Sequence, residues 1–278
     1  MTVAEFTPIV LGAAILAGFL GSLTGLGGGV IMTPVLTLFL GVDLRYAIGA
    51  SLVSVIATSS GAAAAYVRDG LSNIRIGMFL EVATTVGAVC GAYLAAYVSP
   101  RILSVVFGLI LIQSAWQTVQ IRKSAKIPLP PDPLGEKLKL NGAVNTSSGK
   151  EPYVVHRVKT GFSLMFGAGL ISGLLGIGSG SLKVIAMDQA MQLPFRVSTA
   201  TSNFMIGVTA AASASIYLSR GYVNPAIAMP VMLGVLGGSL IGTRYLSRLS
   251  VPLLRRIFAL VVGVIAIEMI ANGIRGNV

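Results

Sequence analysis

The chain has 278 residues, of which 54% are apolar and 10% are charged, and its mean hydropathy is +0.86. Soluble domains carry about a quarter charged residues, so this composition excludes an ordinary soluble domain, a disordered chain and a fibre. The formal charge is +11. Because the positive residues lie in loops beside apolar stretches, they indicate the positive-inside rule of membrane proteins rather than nucleic-acid binding.

The first part of the chain predicts four long apolar segments and one short one. Phe6–Leu23 ends at a glycine-rich stretch, and Val30–Val42 follows with 13 residues, too few to cross a hydrocarbon core of about 30 Å. Tyr46–Val67, Ile76–Val98 and Ile102–Ile121 are each long enough to span. A break followed by a half-length helix is typical of a re-entrant hairpin inside a membrane protein.

Residues 122–159 differ in composition from the rest of the chain. They hold 11 of the 29 charged residues and a cluster of prolines at Pro128, Pro130, Pro131 and Pro133. Such a segment is typical of a linker. We predict that it is mobile and exposed to water, and that it separates a first transmembrane repeat at 1–121 from a second at 160–278.

The two parts on either side of the linker are copies of one another. A shift of 151 residues aligns Gly25–Gly29 with Gly176–Gly180 without a gap, and it aligns Arg45 with Arg196. The segments 17–110 and 168–261 share 21 identities in 94 pairs under that shift. The sequence therefore predicts an internal duplication.

The distribution of positive charge predicts how the two copies are oriented. If each copy crosses the membrane an odd number of times, a cytoplasmic linker places 15 Lys and Arg inside and 4 outside. An even number gives 12 and 7. We therefore predict an all-α, multi-pass protein of the plasma (inner) membrane, made of two inverted-topology repeats with both termini outside. Each repeat has a Gly-broken, re-entrant-like helical hairpin plus three long transmembrane helices, which gives about 8–10 helical segments.

The two glycine-rich breaks are the predicted binding site. Free amides at the start of each returning helix carry a partial positive charge that attracts anions. The alternative is that both glycine clusters serve close helix packing. The substrate-binding candidates are the glycines and neighbouring polar residues Gly27, Gly28, Gly29, Gly178, Ser179, Gly180, Ser181, Lys183, Thr201, Ser202 and Asn203.

Lys183 is the most informative single residue. A lysine at the centre of a bilayer costs roughly 2.5–3.5 kcal/mol, so it needs a partner or a purpose. Its repeat equivalent is Met32, so the fold does not require a charge at this position. Anion binding is one interpretation; an ion pair with Asp188, or a stem that reaches the cytoplasmic surface, are the others.

Other ionisable residues are candidates for secondary roles in transport. Arg45 and Arg196 are gate or mouth candidates, although an interfacial arginine is also a common topology anchor. Asp188 and Glu81 are candidates for proton coupling, with protons as the coupling ion. His156 has no ligand set around it, so we predict no metal site and no cofactor. No catalytic constellation lies in a span, so we predict that the protein is not an enzyme.

The motifs Gly25–Gly29, Thr33-Pro34 and Gly176–Gly180, with an arginine-containing turn and a small-residue helix after each break, resemble the TauE/SafE family, which groups sulfite exporters with 4-toluene sulfonate uptake-type permeases. The resemblance covers residues 6–274 apart from the linker. It implies an inner-membrane transporter that moves sulfite, a sulfonate such as sulfoacetate, or a related sulfur compound, generally outward. The chain departs from the motif at Ser179 and Ile185, which leaves the particular substrate open.

The residues and the resemblance together favour a secondary transporter with a central anion site between inverted repeats. The expected partners are a small sulfur-containing anion and the lipid bilayer, with no nucleic acid. An anion channel with the same glycine-lined constriction, a carrier for a non-sulfur anion, and a membrane scaffold without transport activity are the alternatives.

Overall fold

A computed structural model describes residues 3–24, 28–68, 72–119, 130–146, 149–245 and 251–276. The first repeat contains α1 (Val3–Thr24), α2 (Gly29–Pro34), α3 (Leu44–Arg68), α4 (Ile74–Leu94) and α5 (Pro100–Val119). The linker contains α6 (Pro133–Lys137) and an antiparallel hairpin of β1 (Gly142–Thr146) and β2 (Gly149–Tyr153). The second repeat contains α7 (Val158–Leu175), α8 (Gly180–Ile185), α9 (Phe195–Ser219), α10 (Pro225–Tyr245) and α11 (Val251–Arg275).

The duplication seen in the sequence is present in the helix boundaries. The helices α2, α3 and α4 begin and end 151 residues before α8, α9 and α10. A π-helical turn, Val35–Phe39, continues α2, and its equivalent, Ala186–Ala190, continues α8. Asn73 and Asn224 are also equivalent, and each accepts a backbone N–H bond at the start of the next helix. Two copies of one sequence pattern therefore fold into the same series of elements.

Within the described residues, five helices are long and apolar enough to cross a membrane: α4, α5, α7, α10 and α11. The apolar stretch of α1 and the α2 segment with its π-helical turn are shorter. The 25-residue helices α3 and α9 carry more polar side chains, and they pack against each other at the centre of the molecule. Their position explains their composition, because hydroxyl groups that face protein are shielded from lipid.

The helices pair across the two repeats rather than within them. α1 packs along α10, and the equivalent pair is α7 with α4; α3 packs on α9, and α5 on α11. If each helix is replaced by its equivalent in the other repeat, the same set of helix pairs results. Gly87 lies against Phe166 and Gly91 against Leu170, so α4 and α7 run in the same direction.

The equivalent helices α3 and α9 run in opposite directions. Gly49, near the start of α3, lies against Tyr222, which follows the end of α9, and Gly207 of α9 lies against Ser59 farther along α3. The pair α5 and α11 is antiparallel as well, since Gly108 contacts Ile270 and the earlier Arg101 approaches the later Gly276. In these two pairs, the helices that correspond to each other in the two repeats point in opposite directions.

The described part of the linker is folded, which differs from the mobile, water-exposed segment that its composition predicts. Leu140 and Val155 are buried in one apolar cluster with Ile76 of α4 and with Leu193. The Asn73 amide donates to the Leu140 carbonyl at 3.3 Å and to the Tyr153 hydroxyl at 2.7 Å. Burial raises the pKa of Tyr153 above its usual value, so this hydroxyl remains uncharged.

Candidate functional site

The returning helices α2 and α8 are held by equivalent hydrogen bonds. The Ser51 hydroxyl on α3 donates to the Gly29 carbonyl at 2.7 Å, and the Ser202 hydroxyl on α9 donates to the Gly180 carbonyl at 3.1 Å. Each bond ties the first residue of a short helix to the long helix that follows it. Serine at this position of both repeats is therefore accounted for by the hairpin geometry.

The two glycine-rich breaks approach each other beside α3. A Cβ atom on Gly29 would overlap the Val55 side chain, and one on Gly178 would lie 3.2 Å from another methyl group of the same valine. Gly176, Gly178 and Ser179 have positive φ angles of 68°, 69° and 47°, which a glycine adopts without strain and a serine does not. Gly29 and Gly178 thus lie against the same valine of α3, whereas Gly27 lies outside the described residues.

Lys183 lies beside this junction and is fully buried. Its ammonium group donates to the Thr209 hydroxyl of α9, and that hydroxyl donates to Oε1 of Glu81 on α4 at 2.7 Å. Thr85 donates to the same carboxylate oxygen at 3.1 Å. Lys183 and Glu81 are therefore joined through one hydroxyl group, in a region where each charge needs a compensating partner.

The burial and the hydrogen bond of Lys183 bear on its interpretation. Its side chain does not reach the surface, and its ammonium group donates to the Thr209 hydroxyl. Asp188 is partly exposed in the second π-helical turn. Glu81, a candidate for proton coupling, has 5% of its side chain exposed and lies about a third of the way along α4.

The charged cluster occurs at one of two equivalent places in the fold. The residues of the first repeat that correspond to Lys183 and Thr209 are Met32 and Thr58, and the one of the second repeat that corresponds to Glu81 is Met232. Thr58 donates to the Ser54 carbonyl one turn earlier in its own helix, at 3.0 Å. The positions equivalent to lysine, threonine and glutamate therefore carry methionine, threonine and methionine, so neither charge is repeated at its equivalent position.

Two serines near the second break, Ser179 and Ser181, carry hydroxyl groups that are relevant to ligand binding. Ser179 is 1% exposed, and its Oγ has no hydrogen-bond partner among the described residues. The Ser181 hydroxyl lies 3.3 Å from the Ser114 hydroxyl of α5. Since a buried hydroxyl without a partner is costly, Ser179 is a group that a bound oxyanion would satisfy.

The polar stripe at the start of α9 is used mainly by the fold. Thr201 accepts the Asn73 backbone N–H at 3.1 Å, and Asn203 donates to the Thr199 carbonyl at 3.0 Å. Thr201 lies two turns of α9 from Thr209, so it is not placed beside Lys183. Of the three candidates in this stripe, the structure brings Ser202 to the second hairpin.

The two mouth candidates differ in their surroundings. Arg45 donates to the Ala96 carbonyl at 3.1 Å and to the Tyr222 hydroxyl at 3.4 Å. Arg220 donates to the Ala92 carbonyl at 3.1 Å, so both arginines bind carbonyls at the end of α4, where a helix favours positive charge. Arg196 is exposed. The contacts of Arg45 are those of a structural anchor at the edge of the helix bundle.

Sequence reasoning missed Thr209, which joins the two charges. A signal for it was present, because Thr209 lies seven residues after Ser202 and two helical turns along the same face. Thr209 and Thr58 are also one of the identical pairs of the duplication. Nothing in the sequence, however, indicates that Glu81, which precedes Lys183 by 102 residues, is the carboxylate at this threonine.

The comparisons with a family model and with known proteins agree with each other. The sequence model described as "Sulfite exporter TauE/SafE" matches residues 10–269. The chain is 29% identical to "Probable membrane transporter protein YunE" of Bacillus subtilis, over 96% of this chain and 97% of the relative. It is 28% identical to a "Probable membrane transporter protein" of Xylella fastidiosa, over 94% of each chain. No solved structure matches the chain significantly.

Proposed function

This chain belongs to the sulfite exporter TauE/SafE family of membrane transporters, and on that basis we propose that it is a secondary transporter for a small sulfur-containing anion. Sulfite, or a sulfonate such as sulfoacetate, is the proposed substrate, and export is the proposed direction. The site lies between the two repeats, where the glycine-rich breaks meet. Lys183 is the residue that binds the anion.

One observation carries this proposal: a fully buried lysine stands at one of two equivalent places, next to the junction of the two breaks. Met32 at the other place supports the view that the charge serves the ligand, since the same hairpin forms without it. An intramembrane ionisable residue is costly, and such residues in transporters mark substrate pathways. The location is also where transporters built from inverted repeats bind their substrates.

The chemistry of the site fits an oxyanion. The Lys183 ammonium group has three N–H donors, and its described bond to Thr209 uses one of them. The free Ser179 hydroxyl and the Ser181 hydroxyl of the same hairpin are further donors for sulfur-bound oxygens. Hydrogen bonds from a charged donor to an oxyanion are about twice as strong as neutral ones.

We further propose that the two repeats are inverted in the membrane and that they rock against each other during transport. The opposite directions of α3 and α9, and of α5 and α11, support this arrangement. The linker would then face the cytoplasm, with both termini outside a bacterial inner membrane. Alternating access would expose the junction of the breaks to each side in turn.

A labelling experiment tests this topology. Lys137 in the linker and Arg275 at the end of α11 are both exposed, so a cysteine at either position reacts without unfolding the protein. In a Cys90→Ala background, we expect a membrane-impermeant thiol reagent to label Arg275→Cys in intact cells and Lys137→Cys only after the cells are opened. Labelling of both positions from the same side would contradict the inverted arrangement.

Ligand-induced stabilisation of the purified protein tests the substrate class. The panel is sulfite, sulfate, thiosulfate, sulfoacetate, taurine, acetate and phosphate. A ligand that binds only the native state raises its stability by about 2.7 kcal/mol at a hundred times the dissociation constant. We expect a shift in Tm with sulfite or a sulfonate and none with acetate. Stabilisation by phosphate or acetate alone would contradict a sulfur-containing substrate.

A further inference from the structure

Glu81 carries a buried carboxylate close to Lys183, and the role argued for it here rests on the anion site proposed at Lys183. Glu81 is nearly fully buried, and its oxygen Oε2 has no hydrogen-bond partner among the described residues. Its other oxygen, Oε1, accepts from Thr209 and Thr85. The carboxylate is therefore only half satisfied, which is unfavourable for an ionised group and less so for a protonated one.

The Thr209 hydroxyl has two acceptors for its single hydrogen. Its oxygen lies 2.7 Å from Glu81 Oε1 and 2.9 Å from the carbonyl of Met205 in its own helix. An ionised Glu81 attracts this hydrogen, because a carboxylate only accepts. A protonated Glu81 donates instead, and the Thr209 hydrogen is then free to turn to Met205, as the hydrogen of its equivalent Thr58 turns to Ser54.

Among the described residues, Lys183 is the charged group connected to Glu81 by hydrogen bonds, so an anion at Lys183 changes the balance of charge there. Lys183 reaches it from α8 through Thr209. The neighbouring helices α7 and α9 otherwise bring Lys159 and Arg196, both exposed near the helix starts, and Tyr217 and Arg220 toward the far end of α9. The π-helical turn after α8 brings the partly exposed Asp188.

We propose that Glu81 takes up a proton when an anion binds to Lys183, so that anion and proton cross the membrane together. Without ligand, Glu81 is the anion that balances Lys183 through the Thr209 hydroxyl. A bound substrate takes over this role and leaves the buried carboxylate without a counterion. Protonation of Glu81 restores the balance, and Thr209 allows it because its hydrogen has an alternative acceptor in Met205.

Because binding takes up a proton, the anion binds more tightly as the pH falls. For one proton taken up with each anion, the affinity changes about tenfold for each unit of pH. The two species move in the same direction. Outward flux of the anion therefore carries protons outward, so export proceeds when the outward gradient of the anion exceeds the inward gradient of protons.

The test uses sulfoacetate, which has no group that titrates near neutral pH. Its binding to the purified full-length protein is measured by calorimetry in two buffers with different heats of ionisation, which gives the number of protons taken up. We expect one proton for each sulfoacetate in the wild type. In Glu81→Gln, which mimics the protonated carboxyl, we expect binding to persist without proton uptake and without pH dependence.

Two matched controls separate this role from a structural one. Glu268 is an exposed carboxylate on α11, and Glu268→Gln is expected to keep the proton uptake of the wild type. Thr209→Val is expected to lower the number of protons taken up for each sulfoacetate bound. Thr58→Val, at the equivalent position, is expected to leave that number unchanged. If Glu81→Gln fails to fold, the wild-type measurement still decides whether a proton is taken up, and Thr209→Val against Thr58→Val still tests whether the uptake depends on the Glu81 cluster.

The outcomes that would overturn the inference are distinct from those that would overturn the proposed function. Sulfoacetate binding without proton uptake would refute proton coupling and leave the anion site in place. Proton uptake that persists in Glu81→Gln would refute the assignment to Glu81. Failure of every sulfur anion to stabilise the wild type would refute the proposed function, and the role of Glu81 with it.

Discussion

Replacement of both charges, Lys183→Met together with Glu81→Met, is expected to weaken anion binding strongly while the protein still folds. The double variant places at each of the two positions the methionine that its repeat equivalent carries, Met32 for Lys183 and Met232 for Glu81. Loss of a charged hydrogen bond weakens binding by about 1.5–3 kcal/mol, or roughly 10- to 100-fold. The measurement is the shift in Tm caused by sulfite or sulfoacetate.

The single variant Lys183→Met is expected to behave differently, because it leaves Glu81 buried with no positive partner. Removal of one member of a buried ion pair costs about 3–5 kcal/mol of stability, whereas replacement of both is often neutral or stabilising. The double variant should therefore unfold at a higher temperature than the single one. Wild-type affinity for the anion in the double variant would show that the site lies elsewhere.

The second large effect is expected at two adjacent glycines of α10. A Cβ atom on Gly238 would overlap the backbone carbonyl of Ile15 on α1, whereas one on Gly237 has open space around it. Backbone atoms of two long helices cannot shift as a flexible side chain can. We expect Gly238→Ala to destabilise the protein by about 1–3 kcal/mol or more.

Gly237→Ala is the matched control, and it is expected to be neutral or stabilising by about 0.5–1 kcal/mol, since alanine favours the helix. Its equivalent in the first copy is Val86, an exposed side chain on α4, so the fold already accommodates a larger residue there. Apparent Tm values of the two variants in detergent are the measurement. Equal values would contradict the close parallel packing of α1 on α10.

The linker shows where composition misleads. Its prolines and charges predict a mobile segment, yet Leu140 and Val155 are buried against Ile76 of α4. These apolar residues are too few and too scattered to form a core of their own. They become buried only because the ends of α4 and α7, and the turn before α9, provide the other half of the apolar cluster. A composition-based prediction does not contain that surface.

The sequence by itself determined the membrane character, the duplication and the places of the two glycine-rich breaks. These features are local or periodic: apolar segments of sufficient length, a repeated order of residues, and glycines before a half-length helix. They follow from the length of a membrane span and from the conformations that glycine allows. The same evidence identified Lys183, since a lysine within an apolar hairpin is conspicuous in any fold.

Only the tertiary structure decided which groups surround that lysine. In sequence, Asp188 is the near carboxylate; in space, the described contact leads through Thr209 to Glu81, which belongs to the other repeat. The pairing of α4 with α7 and α9 across the two repeats creates this meeting. Hydroxyl orientation and burial depend on such distant contacts, and no local pattern records them. The helical membrane architecture could thus be predicted from the length and spacing of apolar segments, whereas the surroundings of Lys183 depend on packing.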